Sequence, residues 1–185
     1  MNYKISVIVA TYNSGDFLNE FLDSIKSQSL GFEDIEVIFV DDASTDDTWK
    51  HIEDWENRFP NIIITVHCDV NGKMGRARNS GFPGTGRNRG LDLAGGEYVI
   101  FADHDDSYVE NAFEVMYNEI SKENADFLIT NYYKVYERET VKEKTVFDGE
   151  NVVVNNFKDD LRLFDIGPSI WTKLFKKDFL AENNI

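Results

Sequence analysis

The chain has 185 residues, 42% hydrophobic and 14% aromatic, which is enough for one domain with a real core and too apolar for a disordered chain. Lys and Arg total 19 against 34 Asp and Glu, and the net charge of −15 excludes a general binder of phosphate backbones, so no nucleic-acid partner is expected. The single cysteine, Cys68, excludes an internal disulfide and a Cys-rich metal site.

Met1-Asn-Tyr-Lys runs straight into Ile5-Ser-Val-Ile-Val-Ala10, a buried first strand too short for a membrane span and without a signal-cleavage pattern. A cytoplasmic domain is the expectation, with room for peripheral attachment at the inner face of the membrane through a segment outside this chain. Thr11-Tyr-Asn-Ser-Gly15 ends that strand. Ser14 then caps a helix whose apolar residues Phe17, Leu18, Phe21, Leu22 and Ile25 follow a helical repeat. Ile35–Val40 is the second strand, left through Asp41-Asp-Ala-Ser-Thr45. Ser44 with Asp47 reads as a capping box for a helix carrying Trp49, Ile52, Trp55 and Phe59. Residues 62–66 make a third strand, and Cys68 reads as a half-buried small residue at its end. Residues 69–90 are rich in Gly, Arg and Asn, and 91–94 read as a short helix end stopped by Gly95-Gly96. Tyr98–Ala102 is the next strand, and a helix follows over 111–123.

Alternation of strand and helix predicts an α/β fold, a mostly parallel sheet flanked by helices, whose ligands sit at the carboxyl ends of the strands. From about Asp126 the pattern changes to longer, more exposed strands over 127–136 and 141–147, a helix over 158–164, the turn Asp165-Ile-Gly-Pro168, and Trp171-Thr-Lys-Leu-Phe175. These read as a smaller, substrate-facing layer rather than a second domain.

The chemistry concentrates at the strand ends. Tyr98-Val-Ile-Phe-Ala breaks into Asp103-His-Asp-Asp106, three carboxylates that repel one another unless a cation joins them, and a hard divalent ion with oxygen ligands is the natural candidate. An acidic surface turn is the alternative. Asp103 and Asp105 are two apart and point to one side of an extended chain. Asp42 can accept a hydrogen bond from a ring N–H, or it can simply favour the start of the next helix. Thr11 and Asn13 have a turn-only explanation as well. His104 reads as a solvated neighbour of the carboxylates and Lys173 as a solvated charge.

Ser6-Val-Ile-Val-Ala-Thr-Tyr-Asn13, Val40-Asp-Asp-Ala-Ser-Thr-Asp46 and Gly96-Glu-Tyr-Val-Ile-Phe-Ala-Asp-His-Asp-Asp106 together resemble a family 2 glycosyltransferase of the GT-A type, in that family's order and spacing. The resemblance implies a Rossmann-like GT-A domain over residues 1–185. Its nucleotide-sugar half would run over about 1–107 and the start of its acceptor half over about 108–185. It implies an inverting, metal-dependent transfer from a nucleoside-diphosphate sugar, UDP-linked by preference, to a hydroxyl of a glycan or cell-envelope acceptor. Thr11, Tyr12, Asn13, Asp42 and Asp103 would then hold the donor, with Asp105 and Asp106 on Mn²⁺ or Mg²⁺.

Two near-copies, Arg78-Asn-Ser-Gly-Phe82 and Arg87-Asn-Arg-Gly-Leu91, compete for the family's Ala-Arg-Asn-x-Gly block. Distance to Gly96-Glu-Tyr98 selects Arg87 and Asn88, leaving Lys73, Arg76 and Arg78 in a longer loop. Trp171-Thr-Lys-Leu-Phe175 resembles the family's acceptor-side segment, where Trp171 either stacks on a sugar or packs in the core. The general base of such enzymes follows that segment, so it is expected beyond Ile185, with Asp165 a remote candidate. Two other readings remain at this point: an inactive domain that binds a nucleotide sugar or glycan within a larger protein, and a phosphotransfer-type α/β domain, for which the Thr-Tyr-Asn turn has no use.

Overall fold

The computed structural model describes residues 3–184 apart from 16, 70–84, 137, 144, 145, 157 and 168. Eight strands and five helices follow one another among these residues. β1 (Ile5–Thr11), β2 (Ile35–Asp41), β3 (Ile63–His67) and β4 (Tyr98–Asp103) are mutually parallel. β5 (Phe127–Ile129) and β8 (Lys173–Lys176) complete a six-stranded sheet in the order β3-β2-β1-β4-β8-β5, with β8 antiparallel to both neighbours. β6 (Tyr133–Val135) and β7 (Thr140–Lys142) pair separately as a small antiparallel ribbon.

The helices are α1 (Phe17–Lys26), α2 (Thr48–Arg58), α3 (Thr85–Leu93), α4 (Ala112–Glu123) and α5 (Lys177–Glu182). Strand alternation divides the core between the two sheet faces. Val7, Val9, Val37, Phe39 and Ile100 pack with Leu18, Phe21, Leu22 and Ile25 of α1, Ile52 and Trp55 of α2, and Phe113, Met116 and Ile120 of α4. Ile8, Ile38, Val40, Val99 and Phe101 face the other way, toward Leu91 of α3 and Phe179 and Leu180 of α5. Cys68 lies at the end of β3 as expected, but it is buried in this second cluster rather than half-buried, and burial pushes its thiol pKa up. No helix among the described residues is long and apolar enough to cross a membrane.

Several local expectations are corrected. α3 extends back to Thr85, well before the short helix end expected over 91–94. Its glycines explain both the weak helical signal and the packing. Cβ atoms built at Gly86 and Gly90 would touch Ala10 and Val40, and Ile8, respectively, with the second contact a direct clash. A helix interior disfavours glycine, by about 1 kcal/mol each relative to alanine, but here its absence of a side chain lets α3 lie close on β1 and β2. The long strands expected over 127–136 and 141–147 are the short β5, β6 and β7, and the helix expected over 158–164 is a 3-10 turn over Leu161–Asp165. Ser14 does not cap α1 through its side chain: its buried hydroxyl has no hydrogen-bond partner among the described residues, whereas its carbonyl accepts from Phe17 N–H at 3.1 Å. Ser44 and Asp47 form no capping box; Asp46 Oδ1 accepts from Thr48 N–H at 3.0 Å instead. Pro168 and the near-copy containing Lys73, Arg76 and Arg78 lie outside the described residues.

Candidate functional site

The strand order reverses beside β1, which has β2 on one side and β4 on the other, so the carboxyl ends of β1 and β4 flank the point where such sheets place their ligands. Register does the rest: Thr11 lies opposite Asp41, and Ala10 opposite Asp103. The Thr11–Asn13 turn, the Asp41–Thr45 turn and the acidic turn after β4 therefore share one edge of the sheet.

The first two turns are tied together around Asp41, which is fully buried. Its carboxylate accepts from Ser44 N–H at 3.1 Å, from the Ser44 hydroxyl, and from His67 Nδ1 at 2.8 Å. The Ser44 hydroxyl also accepts from Asn13 N–H at 2.9 Å, and Asn13 Oδ1 accepts from Thr45 N–H at 2.9 Å. Thr48 Oγ1 receives the N–H groups of Ser14 at 2.7 Å and Gly15 at 3.0 Å. Two non-glycine residues here hold left-handed backbone, Asn13 at φ 49° and Ala43 at φ 58°. Asn tolerates that region; Ala does not, so the surrounding bonds must hold it there.

Thr11 is buried, with its hydroxyl 3.5 Å from Val40 O. Tyr12 is about half exposed, and Asp42 is half-buried with its N–H donating to Thr11 O at 2.9 Å.

The acidic turn closes when Asp106 N–H donates to Asp103 O at 3.3 Å. Arg87, in the first turn of α3, reaches Asp103 Oδ1 through Nη2 at 2.9 Å, and its Nε is buried without a partner among the described residues. The close seating of α3 through Gly90 is what brings Arg87 to the end of β4. Asn88 points to solvent; the neighbouring Arg89 reaches Cys68 Sγ at 3.0 Å. Asp105 is exposed and Asp106 half-buried. Burial, then the charges of Asp105 and Asp103, raise the Asp106 carboxyl pKa to about 6. Burial also lifts the Tyr108 phenol far above its usual range, with help from Asp106 and Asp103. Tyr108 therefore stays a neutral donor, and its hydroxyl meets Trp171 O at 3.3 Å. This bond links the acidic turn to the segment leading into β8.

Trp171 itself is half-buried and meets the Tyr132 ring edge-on at 4.7 Å between centroids. Lys173 is not a solvated charge. Its Nζ donates to Gly167 O at 3.0 Å and Ser169 O at 2.5 Å, and burial lowers its pKa. Thr172 and Ser169 line a cavity of about 510 Å³ between α4, β5 and the turns around Phe147 and Asp165.

Three mutually repelling carboxylates with one of them raised to about 6 make a donor set suited to a hard divalent cation. Among the described residues no group of three or more His, Cys, Asp or Glu is placed to hold a metal unaided. A cation that shares its ligands with a substrate phosphate needs only one or two carboxylates.

The raised Asp106 pKa has a consequence for stability. The folded state holds this proton more tightly than the unfolded state, so the group costs stability as pH rises from about 4 to about 6 and the cost is complete above that window. Asp106→Asn is expected to raise the thermal midpoint at about pH 7.5 in the presence of EDTA, with the gain vanishing near pH 4. Equal midpoints for the two proteins at both pH values would contradict the crowding of these carboxylates.

Sequence reading misses His67. Only part of the signal was available: strand alternation puts Ile63, Thr65 and His67 on one face of β3, with His67 exposed at its end, but the pairing that sets His67 opposite Asp41 is a matter of register.

A doubly wound sheet whose polar loops gather at the reversal point has the architecture of the GT-A proteins. The sequence model of glycosyl transferase family 2 matches residues 6–84 and 82–175. The chain is 35% identical over 182 residues to the poly(ribitol-phosphate) beta-glucosyltransferase of Bacillus spizizenii, covering 98% of this chain and 26% of that protein. It is 30% identical over 195 residues to the cholesterol galactosyltransferase of Borreliella burgdorferi, covering 99% of this chain and 51% of that one. Among solved structures, S. aureus TarS 1-349 in complex with UDP-GlcNAc matches with a TM-score of 0.74 and 30% identity, over 98% of this chain and 48% of that one. The chain belongs to glycosyl transferase family 2 and has the GT-A fold. It spans between about a quarter and about half of the length of these relatives.

Proposed function

We propose that this chain is the donor-binding part of an inverting, metal-dependent glycosyltransferase. It takes a UDP-linked sugar and passes the sugar to a hydroxyl of a cell-envelope glycan or polyol. The observation that carries this reading is the meeting of the acidic turn Asp103–Asp106, with Arg87 on Asp103, and the Thr11–Asn13 and Asp42 turns at the reversal point. A charged diphosphate and a base are recognised by different chemistry, and both kinds stand side by side here.

Each residue has a task in this reading. Asp42 accepts the N–H of the uracil ring, which favours UDP over a base lacking a donor at that edge. Thr11, Tyr12 and Asn13 form the turn that supports the base. Asp103 accepts from the ribose hydroxyls, and Arg87, with Asn88 beside it, meets the diphosphate. Asp105 and Asp106 would hold Mn²⁺ or Mg²⁺, which supplies charge neutralisation to the departing diphosphate. Asp106 must give up its proton for that, and a carboxyl near 6 is deprotonated at neutral pH. Trp171 is assigned to the acceptor side, next to the cavity that Thr172 lines.

The relatives' names support the donor class and leave the acceptor broad. One acts on poly(ribitol-phosphate) and another on cholesterol, while the TarS structure contains UDP-GlcNAc. A beta product from an alpha-linked UDP-sugar is an inversion, which agrees with the reading. The test is a transfer assay on the full-length protein with UDP-glucose, UDP-galactose and UDP-GlcNAc and a panel of hydroxyl acceptors in Mn²⁺. Release of UDP with formation of an inverted product is expected, and failure with every UDP-sugar would sink the proposal.

A further inference from the structure

The chemistry proposed for the site uses Asp42 and leaves its neighbour Asp41 without a role, although Asp41 is the more deeply buried of the two. Its carboxylate can only accept, and among the described residues it meets two donors from Ser44 and the His67 ring. The His67 proton facing it is therefore on Nδ1. The ring is fixed on its other flank by Trp49 of α2, at 4.8 Å between centroids and tilted by 49°. His67 sits at the last position of β3, in register with Asp41, so its reach is set by the sheet rather than by a loop.

We propose that His67 is a positioning residue for the nucleoside: by donating Nδ1–H to Asp41 it holds the carboxylate that fixes Ser44, and through Ser44 it holds the Asn13 turn. The role rests on the donor-binding reading given above. The chain of bonds is continuous. Asp41 Oδ2 takes Ser44 N–H and His67 Nδ1, Asp41 Oδ1 takes the Ser44 hydroxyl, and that hydroxyl takes Asn13 N–H. Asn13 Oδ1 returns to Thr45 N–H, which closes the two turns on each other. What this holds is not relaxed backbone. Ala43 lies at φ 58° between Asp42 and Ser44, and Asn13 at φ 49°, so both turns carry strain at this edge of the sheet. A strained turn keeps its shape only while its surroundings over-determine it. Three donors on one buried carboxylate do that; with His67 withdrawn, the carboxylate keeps, among the described residues, the two from Ser44, the very residue it must hold still.

Two substitutions separate this role from ordinary packing. His67→Phe keeps a ring against Trp49 and removes the donor, whereas His67→Asn shrinks the ring away and returns an N–H near the Nδ1 position. Amide hydrogen exchange is read without ligand at Asn13, Ser44 and Thr45, the three amides the network holds. Titration with UDP in Mn²⁺ is the second readout. His67→Phe is expected to speed exchange at those three amides with little change in α4, and to weaken UDP about tenfold; His67→Asn is expected to stay within about threefold of wild type in both. Wild-type exchange and affinity in His67→Phe would overturn the proposal. So would equal damage in both variants, or faster exchange spread evenly over the whole chain, because each would make the ring a packing element only. If wild type binds no UDP, the donor reading fails, and the exchange comparison still decides whether His67 holds the turns.

Discussion

Asp105→Ala in the full-length protein is expected to lower sugar transfer about a thousandfold while leaving the fold intact. The side chain is exposed, and exposed substitutions of this kind usually change stability by less than about 0.5 kcal/mol. Its proposed task lies in the charge balance of the acidic turn. Asp103 is engaged by Arg87 and Asp106 is half-buried, so Asp105 is the carboxylate best exposed to a cation arriving with a diphosphate. A cation held there would supply charge neutralisation to the departing diphosphate, an effect worth several kcal/mol, and about 4 kcal/mol corresponds to a thousandfold. Thermal midpoints and transfer rates of both proteins in saturating Mn²⁺ check the two halves of this prediction. Transfer within tenfold of wild type would remove Asp105 from the metal.

The second large effect is structural. Gly96→Ala is expected to cost at least about 3 kcal/mol and to leave little soluble protein. A Cβ at Gly96 would lie 2.6 Å from Ser6 N, 2.7 Å from Ser6 Oγ and 2.9 Å from Ile5 C. Two of those atoms are backbone of the central strand β1, which cannot move aside without disturbing its pairing with β2 and β4. The same position anchors a buried polar group. Gly96 N–H donates to Ser6 Oγ at 2.8 Å, and Ser6 Oγ donates to Glu36 Oε2 at 2.7 Å, which also accepts from Gly95 N–H at 2.8 Å. Forcing Gly96 away would leave Glu36, almost fully buried, short of donors. Urea unfolding of any protein recovered measures the loss; an unchanged midpoint would show that β1 can yield where the packing says it cannot.

The parallel half of the sheet was legible because its strands are short apolar runs and its helices carry apolar residues at helical spacing. Phe21, Leu22 and Ile25 of α1 and Phe113, Met116 and Ile120 of α4 are buried where the repeat puts them. The α3 start was hidden because Gly86, Asn88 and Gly90 are poor helix formers, and their helix is fixed by docking on β1 rather than by propensity. β8 was hidden for a related reason. Lys173-Leu-Phe-Lys176 has only four residues, and its place between β4 and β5 comes from long-range pairing that no local pattern announces. Lys173 was misjudged as solvated because the two carbonyls that bind it belong to a turn whose course the sequence does not reveal.

At the site, residue types were easier to see than partnerships. The strand-end aspartates stand out as a motif. That Asp41 is a buried hub for His67 and Ser44 whereas Asp42 stays half-exposed depends on side-chain parity at a strand end, and on a register between β2 and β3 that the sequence alone leaves open. The same holds for Tyr108, whose phenol is committed to Trp171 across 63 positions of chain.

The most direct test of the donor-binding account is the thermal midpoint of this chain with UDP, alone and with Mn²⁺. A ligand at about 100 times its Kd adds about 2.7 kcal/mol to the folded state, which for a domain of this size moves the midpoint by about 5–10 °C. The account predicts a rise with UDP that grows when Mn²⁺ is added. A midpoint that UDP leaves unchanged, with and without the metal, would contradict it.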